Sequence, residues 1–590
     1  MRPSLILRAA GVRKTPGLQQ ARKATRRAVL PLAQQLAEND SRTGAAATRA
    51  DIVSPALCDD ILSCIGPSLE PYKHCDIVDV NPGAGLWSSR LHEFLKPRRH
   101  VLLEPDAFYK PFLQPLYDQP NSKYVSGPSH ETTLQSLAAT LENGLLPDQH
   151  TLKHGDPGLN QPNKSLLLLI NLSRYKAPTT RSAYFVVRET LNVLTSTAWT
   201  HTGIHKYGQV RMLVWIGDYF EDKFVPKDLN QVDPYGFSFQ HRTQTHVVAS
   251  ADKPRMPREE TTTELSSAVR ALVKMRKLGL ELPPNRQSWL HQKALSLLET
   301  RSVDDVQAEM KSNVAGQSAD DEIKSIETQL ASGALKSPLD VPWQTRLAEL
   351  KKITPRGRNV RETEFTQLKP LWAQFDEYYR LESTVVDESQ SAQERLAAKE
   401  KMEKLGVVVK KQARKQNKMR QQIFFKALDD RRAFYHDPPL LSWDSRPFEP
   451  LRTEPHEFFP QQSLSLLDIT PKPAPRDYSQ GDLTYWQRFA DRMFERTSAT
   501  VSKALNSMRA GSPEIILPQV RAVHDPRRGG SLDVEDMRIR RLTPEMMDEI
   551  VDAWRSWAFR PETLEKYFLE TRLDWFDLAE GTNNVGITLN

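Results

Sequence analysis

Residues Asp76 to Asp106, DIVDVNPGAGLWSSRLHEFLKPRRHVLLEPD, compress a strand, a tight turn, a helix, a second strand and an acid into one short stretch. Ile77, Val78 and Val80 make the first apolar run, and Asn81 to Gly85 make the turn. Val101, Leu102 and Leu103 make a second apolar run that ends at Glu104. Two strands joined through a helix build the parallel sheet of an α/β fold. In such folds the turn lets backbone approach a ligand, and an acid at the tip of the second strand can take two ribose hydroxyls. Glu104 falls 19 residues after Gly85, close to the roughly 20 expected of that acid. Asn81 stands where these loops often carry another Gly, and Asn tolerates positive φ better than most residues. Leu86 and Trp87 open the helix with bulk beside the pocket. The bland alternative is an ordinary βα turn that binds nothing.

Strand signals at 76–80, 100–104, 122–126, 166–170 and 211–216 alternate with helical ones across residues 50–250, in the βαβ manner. Thr261 to Glu264 form a capping-box pattern. Leu265, Val269 and Leu272 follow at helical spacing up to Gly279, which marks the change to a helical region. Residues 300–430 are charged and mostly helical. Residues 434–476 are dense in proline and aromatics and read as a wrapping strap. From about 480 helical patterns return, with Trp554, Trp557, Phe559, Tyr567, Phe568, Trp575 and Phe576 as a small core. The organisation expected is therefore leader and linker (1–45), α/β domain (46–255), charged helical region (256–433), strap (434–476) and C-terminal helical domain (477–590).

The formal charge of +7 is carried by the N-terminus. Arg2, Arg8, Arg13, Lys14, Arg22, Lys23, Arg26 and Arg27 all precede the first acid, Glu38, and subtracting these eight takes the charge to −1. An Arg-rich, acid-free start with interspersed Leu, Ile and Ala reads as a mitochondrial targeting leader, the alternative being a flexible basic arm for nucleic acid. Nucleic-acid binding must then rest on local patches. The best runs from Lys401 to Lys426, with Lys404, Lys410, Lys411, Arg414, Lys415, Lys418 and Arg420 against the single acid Glu403, and with Phe424 and Phe425 near its end. Positive groups beside aromatics suit a phosphate backbone with stacked bases, although a solvated helix face has the same composition. In a second cluster, Arg521 to Arg541, acids are interleaved. Trp443 reads as a packing anchor. Cys58, Cys64 and Cys75 lack Cys-x-x-Cys spacing, and His74, His92, His100 and His130 lack metal-ligand spacing, so no metal site is expected. No apolar run approaches the ~18–20 residues of a membrane span.

Upstream of the turn, Asp51 to Leu62 (DIVSPALCDDIL) is a polar opening followed by an amphipathic helix. Together with DVNPGAGLW and VLLEPD, this makes residues 50–250 resemble the rRNA adenine N6-dimethyltransferase family. The resemblance is to its mitochondrial transcription factor B branch, in a long fungal-like form. Asp437 to Leu451 (DPPLLSWDSRPFEPL) is similar to a segment of the same branch. The resemblance implies a Rossmann-like class I methyltransferase sheet followed by a largely helical C-terminal region, with S-adenosylmethionine as cofactor. It implies that Asp79, Asn81, Gly83 and Gly85 line the methionine and ribose side and that Glu104 holds the ribose. Active members carry Asn, Leu or Ile, Pro, and an aromatic after the fourth strand. The Asn side chain and a backbone carbonyl there accept the target amine, and the aromatic stacks on the flipped base. Asn171 and Tyr175 take those places in Asn171-Leu172-Ser173-Arg174-Tyr175. The Pro is missing, the aromatic is displaced by one, and an Arg is added. Proline fixes φ and aims the adjacent carbonyl. Ser126 and Gly127 stand where the family tends to place an Asp for the adenine amine. A helix cap after a buried strand is the other reading of Asn171.

Three functions follow from the resemblance. The first is a mitochondrial transcription initiation factor that binds promoter DNA and works with the organellar RNA polymerase in the matrix. The second is an S-adenosylmethionine-dependent dimethyltransferase of mitochondrial small-subunit rRNA. The third is a mitochondrial ribosome-associated, rRNA-binding protein. Binding of S-adenosylmethionine separates the second from the others.

Overall fold

The computed structural model describes residues 29–38, 40–42, 49–130, 132–173, 180–251, 263–312, 319–332 and 340–569. Its strands are β1 Asp51–Ile52, β2 Asp76–Val80, β3 Arg99–Leu103, β4 Tyr124–Ser126, β5 Pro162–Asn171, β6 Gln209–Gly217, β7 Thr243–Ala251, β8 Leu451–Thr453, β9 Phe458–Phe459 and β10 Leu464–Pro471. Eight form one mixed sheet in the order β4-β3-β2-β5-β6-β10-β7-β8. From β4 to β6 neighbours are parallel, and β10 runs antiparallel to both β6 and β7. The protein is thus α/β with an additional helical region.

The sequence of β5 explains its central place. Leu166, Leu168 and Ile170 point to one face with Val78, Val80, Val101, Met212 and Val214. Leu167 and Leu169 point to the other with Ile77, Leu213 and Trp215. A continuous apolar run is what a strand covered on both faces requires. Among the helices that position the site, α1 is Pro31–Glu38, α2 Pro55–Leu69, α3 Leu86–Leu95 and α4 Thr180–Thr200. Helix α2 starts at Ser54, whose Oγ accepts the Leu57 N–H at 3.2 Å, and Pro55 suits the first helical position. Its Leu57, Ile61 and Ile65 join Leu91 and Leu95 of α3 over one sheet face, and Val187, Leu191 and Leu194 of α4 cover the other.

The Pro-rich segment is not a surface strap. Its stretch from Leu464 becomes β10, and Leu464, Leu466, Leu467 and Ile469 are fully buried. The sheet is therefore not complete within residues 46–255, and the helical region is an insertion between β7 and β10. Arg211 of β6 locks this arrangement. Its Nε donates to Asp468 Oδ1 at 2.8 Å and its Nη1 to the Ser68 carbonyl at 2.8 Å. A buried, fully bonded pair of this kind favours one strand register.

The insertion carries α5 Glu264–Leu278, α6 Pro355–Val386, α7 Ala392–Lys415 and α8 Lys418–Tyr435. Thr261, where a capping box is expected, lies outside the described residues. Thr263 is the N-cap and makes no side-chain cap bond. Gly279 does end the helix, at φ +66, with the Leu280 N–H reaching the Met275 carbonyl at 3.0 Å. The C-terminal domain includes α9 Gln480–Met493 and α10 Pro544–Ser556. Trp486, Phe489, Ile550 and Trp554 lie in its core and Trp557 packs against it, whereas Phe559 is 76% exposed. The side chains of Tyr567, Phe568, Trp575 and Phe576 lie outside the described residues. At the other end, Leu36 of α1 is fully buried against the group containing Tyr109 and Leu113. The folded body therefore begins before residue 45, and residues 1–28 lie outside the described set. Among the described residues no helix is long and apolar enough to cross a membrane.

Helix α8 joins the insertion to both other parts. Asp429 pairs with Arg538 at 3.0 Å and with Arg540 at 2.8 Å, and Asp430 Oδ1 accepts the Leu229 N–H at 3.0 Å. Burial, then the neighbouring Asp228, push the Asp430 carboxyl up to about 7. A carboxyl raised on folding favours the native state while protonated, so its contribution is lost as pH rises from about 4 through 7. Asp430→Asn keeps the acceptor for Leu229. In urea unfolding at pH 5 and pH 8, this substitution is expected to flatten the fall in stability that the wild type shows between the two.

Candidate functional site

The carboxyl ends of β2, β3 and β5 meet where the strand order reverses, which is where open α/β sheets bind ligands. The loop after β2 has the backbone that its sequence demands. Asn81, Gly83 and Gly85 have φ of +60, +62 and +75, so Asn81 does take the left-handed position. Its Nδ2 donates to the Asn171 carbonyl at 3.1 Å. Glu104 follows β3 and faces this loop, and its Oε2 accepts the Gly83 N–H at 2.9 Å. Asp79, Asn81, Gly83, Gly85, Glu104 and Asn171 are thus gathered at one sheet edge.

That edge is filled by the chain's own residues 49–51. Arg49 Nη2 donates to the same Glu104 Oε2 at 2.7 Å, and each side chain is only 5% exposed. The other oxygen, Oε1, accepts the Asp106 N–H at 3.2 Å. Arg49 also lies over the Tyr109 ring, with Cζ 5.0 Å from its centroid. Burial works against its charge, but Glu104, Tyr109 and Asp51 outweigh that and lift its pKa above the ordinary value. Asp51 sits on the face that Gly83 leaves open. A Cβ at Gly83 would collide with Asp51 Oδ1, and that oxygen faces the Ala84 N–H at 3.4 Å. Asp51 Oδ2 accepts the Tyr109 hydroxyl at 2.8 Å and Arg42 Nη1 at 3.3 Å. Burial pushes the Asp51 carboxyl up to about 6 against the pull of Arg49.

Between these two residues Ala50 occupies the end of β5. Its carbonyl accepts Asn171 Nδ2 at 2.9 Å and Ser173 Oγ at 3.1 Å. Asn171 Oδ1 accepts the Ser173 N–H at 3.0 Å. Both ends of the Asn171 side-chain amide are therefore engaged within the chain. Asn171 caps its own loop and holds residue 50, and it offers no open pair to a base. Tyr175 and Arg174 lie outside the described residues. Asp79 is turned away from the cleft, with Oδ2 accepting Ser88 Oγ at 2.5 Å and facing His100 Nε2 at 3.4 Å.

The segment is held from behind. Asp51 and Ile52 form β1, paired antiparallel with Phe459 and Phe458 of β9. The Val53 N–H reaches the Glu457 carbonyl at 2.9 Å, and Arg286 of the insertion binds Glu457 Oε1 at 2.8 Å and Asp60 Oδ2 at 2.7 Å. The residues present do not fit S-adenosylmethionine. The carboxylate meant for a ribose is neutralised by Arg49, and the glycine face meant for the ligand carries Asp51. No pattern in the sequence flags Arg49 or Tyr109, and the motifs that contain Asp51 and Ser173 say nothing of the bonds these residues make here. An Arg and an Asp flanking Ala50, just before a helix cap, look like any linker.

The basic patch divides into two groups. Helix α7 buries Ala398, Met402, Gly406, Val409 and Ala413, and its exposed face carries Lys404, Val407, Val408, Lys411 and Lys415. Lys411, Lys415 and Lys418 have no acidic partner among the described residues. Lys410 instead pairs with Asp533 and Asp536, and Arg414 lies 3.6 Å from Asp536. Arg420 is half-buried. Phe424 packs in the core on Trp372, with ring centroids 4.6 Å apart, and Phe425 lies under Arg538 at 3.9 Å. Neither is open for stacking on a base. In the second cluster Arg527, Arg528, Arg538 and Arg540 all pair with carboxylates. Trp443 is buried under Arg446 and Lys227, as a packing anchor should be.

No protein-family model matches this chain, and no curated protein matches it either.

Breaking a buried ion pair by removing one partner typically costs about 3–5 kcal/mol. Arg49→Met alone is therefore expected to destabilise by about that much, and Glu104→Gln alone by a similar amount. The double variant should recover most of the loss, so that the two effects are strongly non-additive in urea unfolding.

Proposed function

We propose that this chain is a nucleic-acid-binding factor on a methyltransferase-like scaffold, in which the cofactor cleft has become structural. One observation carries this reading: Arg49, Ala50 and Asp51 take up the contacts a cofactor and a target base would make. The leader and the resemblance of residues 50–250 support the more specific role of a mitochondrial transcription initiation factor. In that role it would bind promoter DNA and the organellar RNA polymerase in the matrix. The row formed by Lys411, Lys415 and Lys418 offers the phosphate contacts. Such contacts fix position without reading sequence, so promoter choice would fall to the polymerase or to DNA shape.

The competing reading is an S-adenosylmethionine-dependent rRNA adenine N6-dimethyltransferase. It is favoured by the gathering of Gly83, Gly85, Glu104 and Asn171 at the carboxyl ends of the strands. Methyl transfer needs the target amine and the sulfonium carbon held in line, and both places are taken by residues 49–51.

With labelled S-adenosylmethionine and unmodified small-subunit rRNA, no adenine N6 label is expected, and the cofactor should leave the melting temperature unchanged. Stoichiometric labelling that disappears in Asn171→Ala would make the chain an enzyme. For nucleic acid, replacing Lys411, Lys415 and Lys418 by Gln should weaken binding of all sequences alike. The log–log salt dependence should flatten by about 0.7–0.9 for each phosphate no longer neutralised. Stability should move by less than about 0.5 kcal/mol for each exposed substitution.

A further inference from the structure

One open side of α7 is lined by Val407, Lys410, Lys411, Arg414 and Lys415. Between Lys404 and Arg420 the chain has no acid. Lys411 and Lys415 lie one turn apart, as do Lys410 and Arg414, and Lys418 follows just after the helix ends at Lys415. An acid-free run of cations suits the evenly charged backbone of a nucleic acid.

Two of these cations are already spoken for. Lys410 pairs with Asp536 at 3.0 Å and with Asp533, and Arg414 reaches Asp536. The two acids come from the C-terminal domain, on a segment anchored at both ends without them. On one side Glu382 of α6 accepts Ser531 Oγ and the Leu532 N–H, each at 2.9 Å. On the other, Arg538 and Arg540 pair with Asp429 of α8. Asp533 and Asp536 meet no other cation among the described residues, and their side chains are 32% and 37% exposed. Ion pairs this open are weak and exchangeable.

We propose that Asp533 and Asp536 stand in for two backbone phosphates and withhold Lys410 and Arg414 from nucleic acid. The inference rests on the nucleic-acid-binding reading of the same surface. With both acid pairs intact the backbone is held by Lys411, Lys415 and Lys418. When phosphates displace the two carboxylates from Lys410 and Arg414, the same surface holds the backbone through five cations. The C-terminal domain thereby sets how many phosphates the insertion can grip.

The test uses the full chain, with Asp533→Asn and Asp536→Asn together, titrated at several salt concentrations into a labelled single-stranded oligonucleotide and, separately, a labelled poly-glutamate peptide. Two added phosphate contacts should steepen the log–log salt slope on a single strand by about 1.4. Adding Lys410→Gln and Arg414→Gln to that variant should return the slope to the wild-type value. An unchanged slope in a protein that still binds the oligonucleotide overturns the inference and leaves the binding reading intact. So does a steepening that survives removal of Lys410 and Arg414, which would be a general field effect. Binding only by the Asn variant supports the inference. If neither protein binds the oligonucleotide, or only the peptide is captured, both readings fall. Should the double variant not fold, Asp536→Asn alone frees Arg414, and a steepening of about 0.7 is then expected; no steepening overturns the inference.

Discussion

A buried guanidinium on a buried carboxylate fixes the rest of the cleft. Glu104 comes out of water at the end of β3 and needs a positive partner or strong donors. Arg49 and the Gly83 N–H supply both. Once Arg49 is seated, the next residues have little freedom. Ala50 falls under the end of β5, Asp51 lands on the glycine face, and the chain runs straight into the Ser54 cap of α2. The partners of this short run are far apart in sequence: Asn171 and Ser173, Tyr109, Phe458 and Glu457. Through Arg286 the helical insertion also touches the same assembly. The carboxyl ends of β2, β3 and β5 are thereby filled by the chain itself.

Local signals made much of this readable. Runs such as Leu166 to Ile170 can only be strands covered on both faces. The Gly-containing turn, with Asn81 accepting a positive φ, was legible residue by residue. So was the helix stop at Gly279. What could not be read were contacts set by the folded path. The apolar pattern of Leu464 to Ile469 was visible, yet the surrounding prolines suggested a strap, since nothing local says that a late segment pairs between β6 and β7. Phe424 and Phe425 looked available beside lysines because sequence does not show which side of α8 faces α6. Glu104 and Asn171 were found, but their partners at residues 49–51 carry no periodicity.

The same limit applies to charge. Along α7 every Lys and Arg contributes equally to a count, but the folded chain sorts them. Lys411 and Lys415 face water, whereas Lys410 and Arg414 face acids more than a hundred residues later. Among the described arginines after residue 520, Arg538 and Arg540 pair with Asp429 of α8, and Arg527, Arg528, Arg555 and Arg560 pair with other carboxylates. Net basicity therefore overstates the surface on offer to a polyanion.

The place of β10 in the sheet bears on how the chain can be made. The Arg211–Asp468 pair closes a separation of 257 residues, and both β6 and β7 wait for the strand between them. Until Leu464 to Pro471 leave the ribosome, the sheet has two open edges with free N–H and C=O groups, the usual template for mispairing. Contacts of such long range are also slow to form, because loop closure precedes any gain. A fragment ending before Leu464 is thus not a smaller copy of the α/β domain. It is a sheet split between β6 and β7, and it exposes the surfaces that drive aggregation.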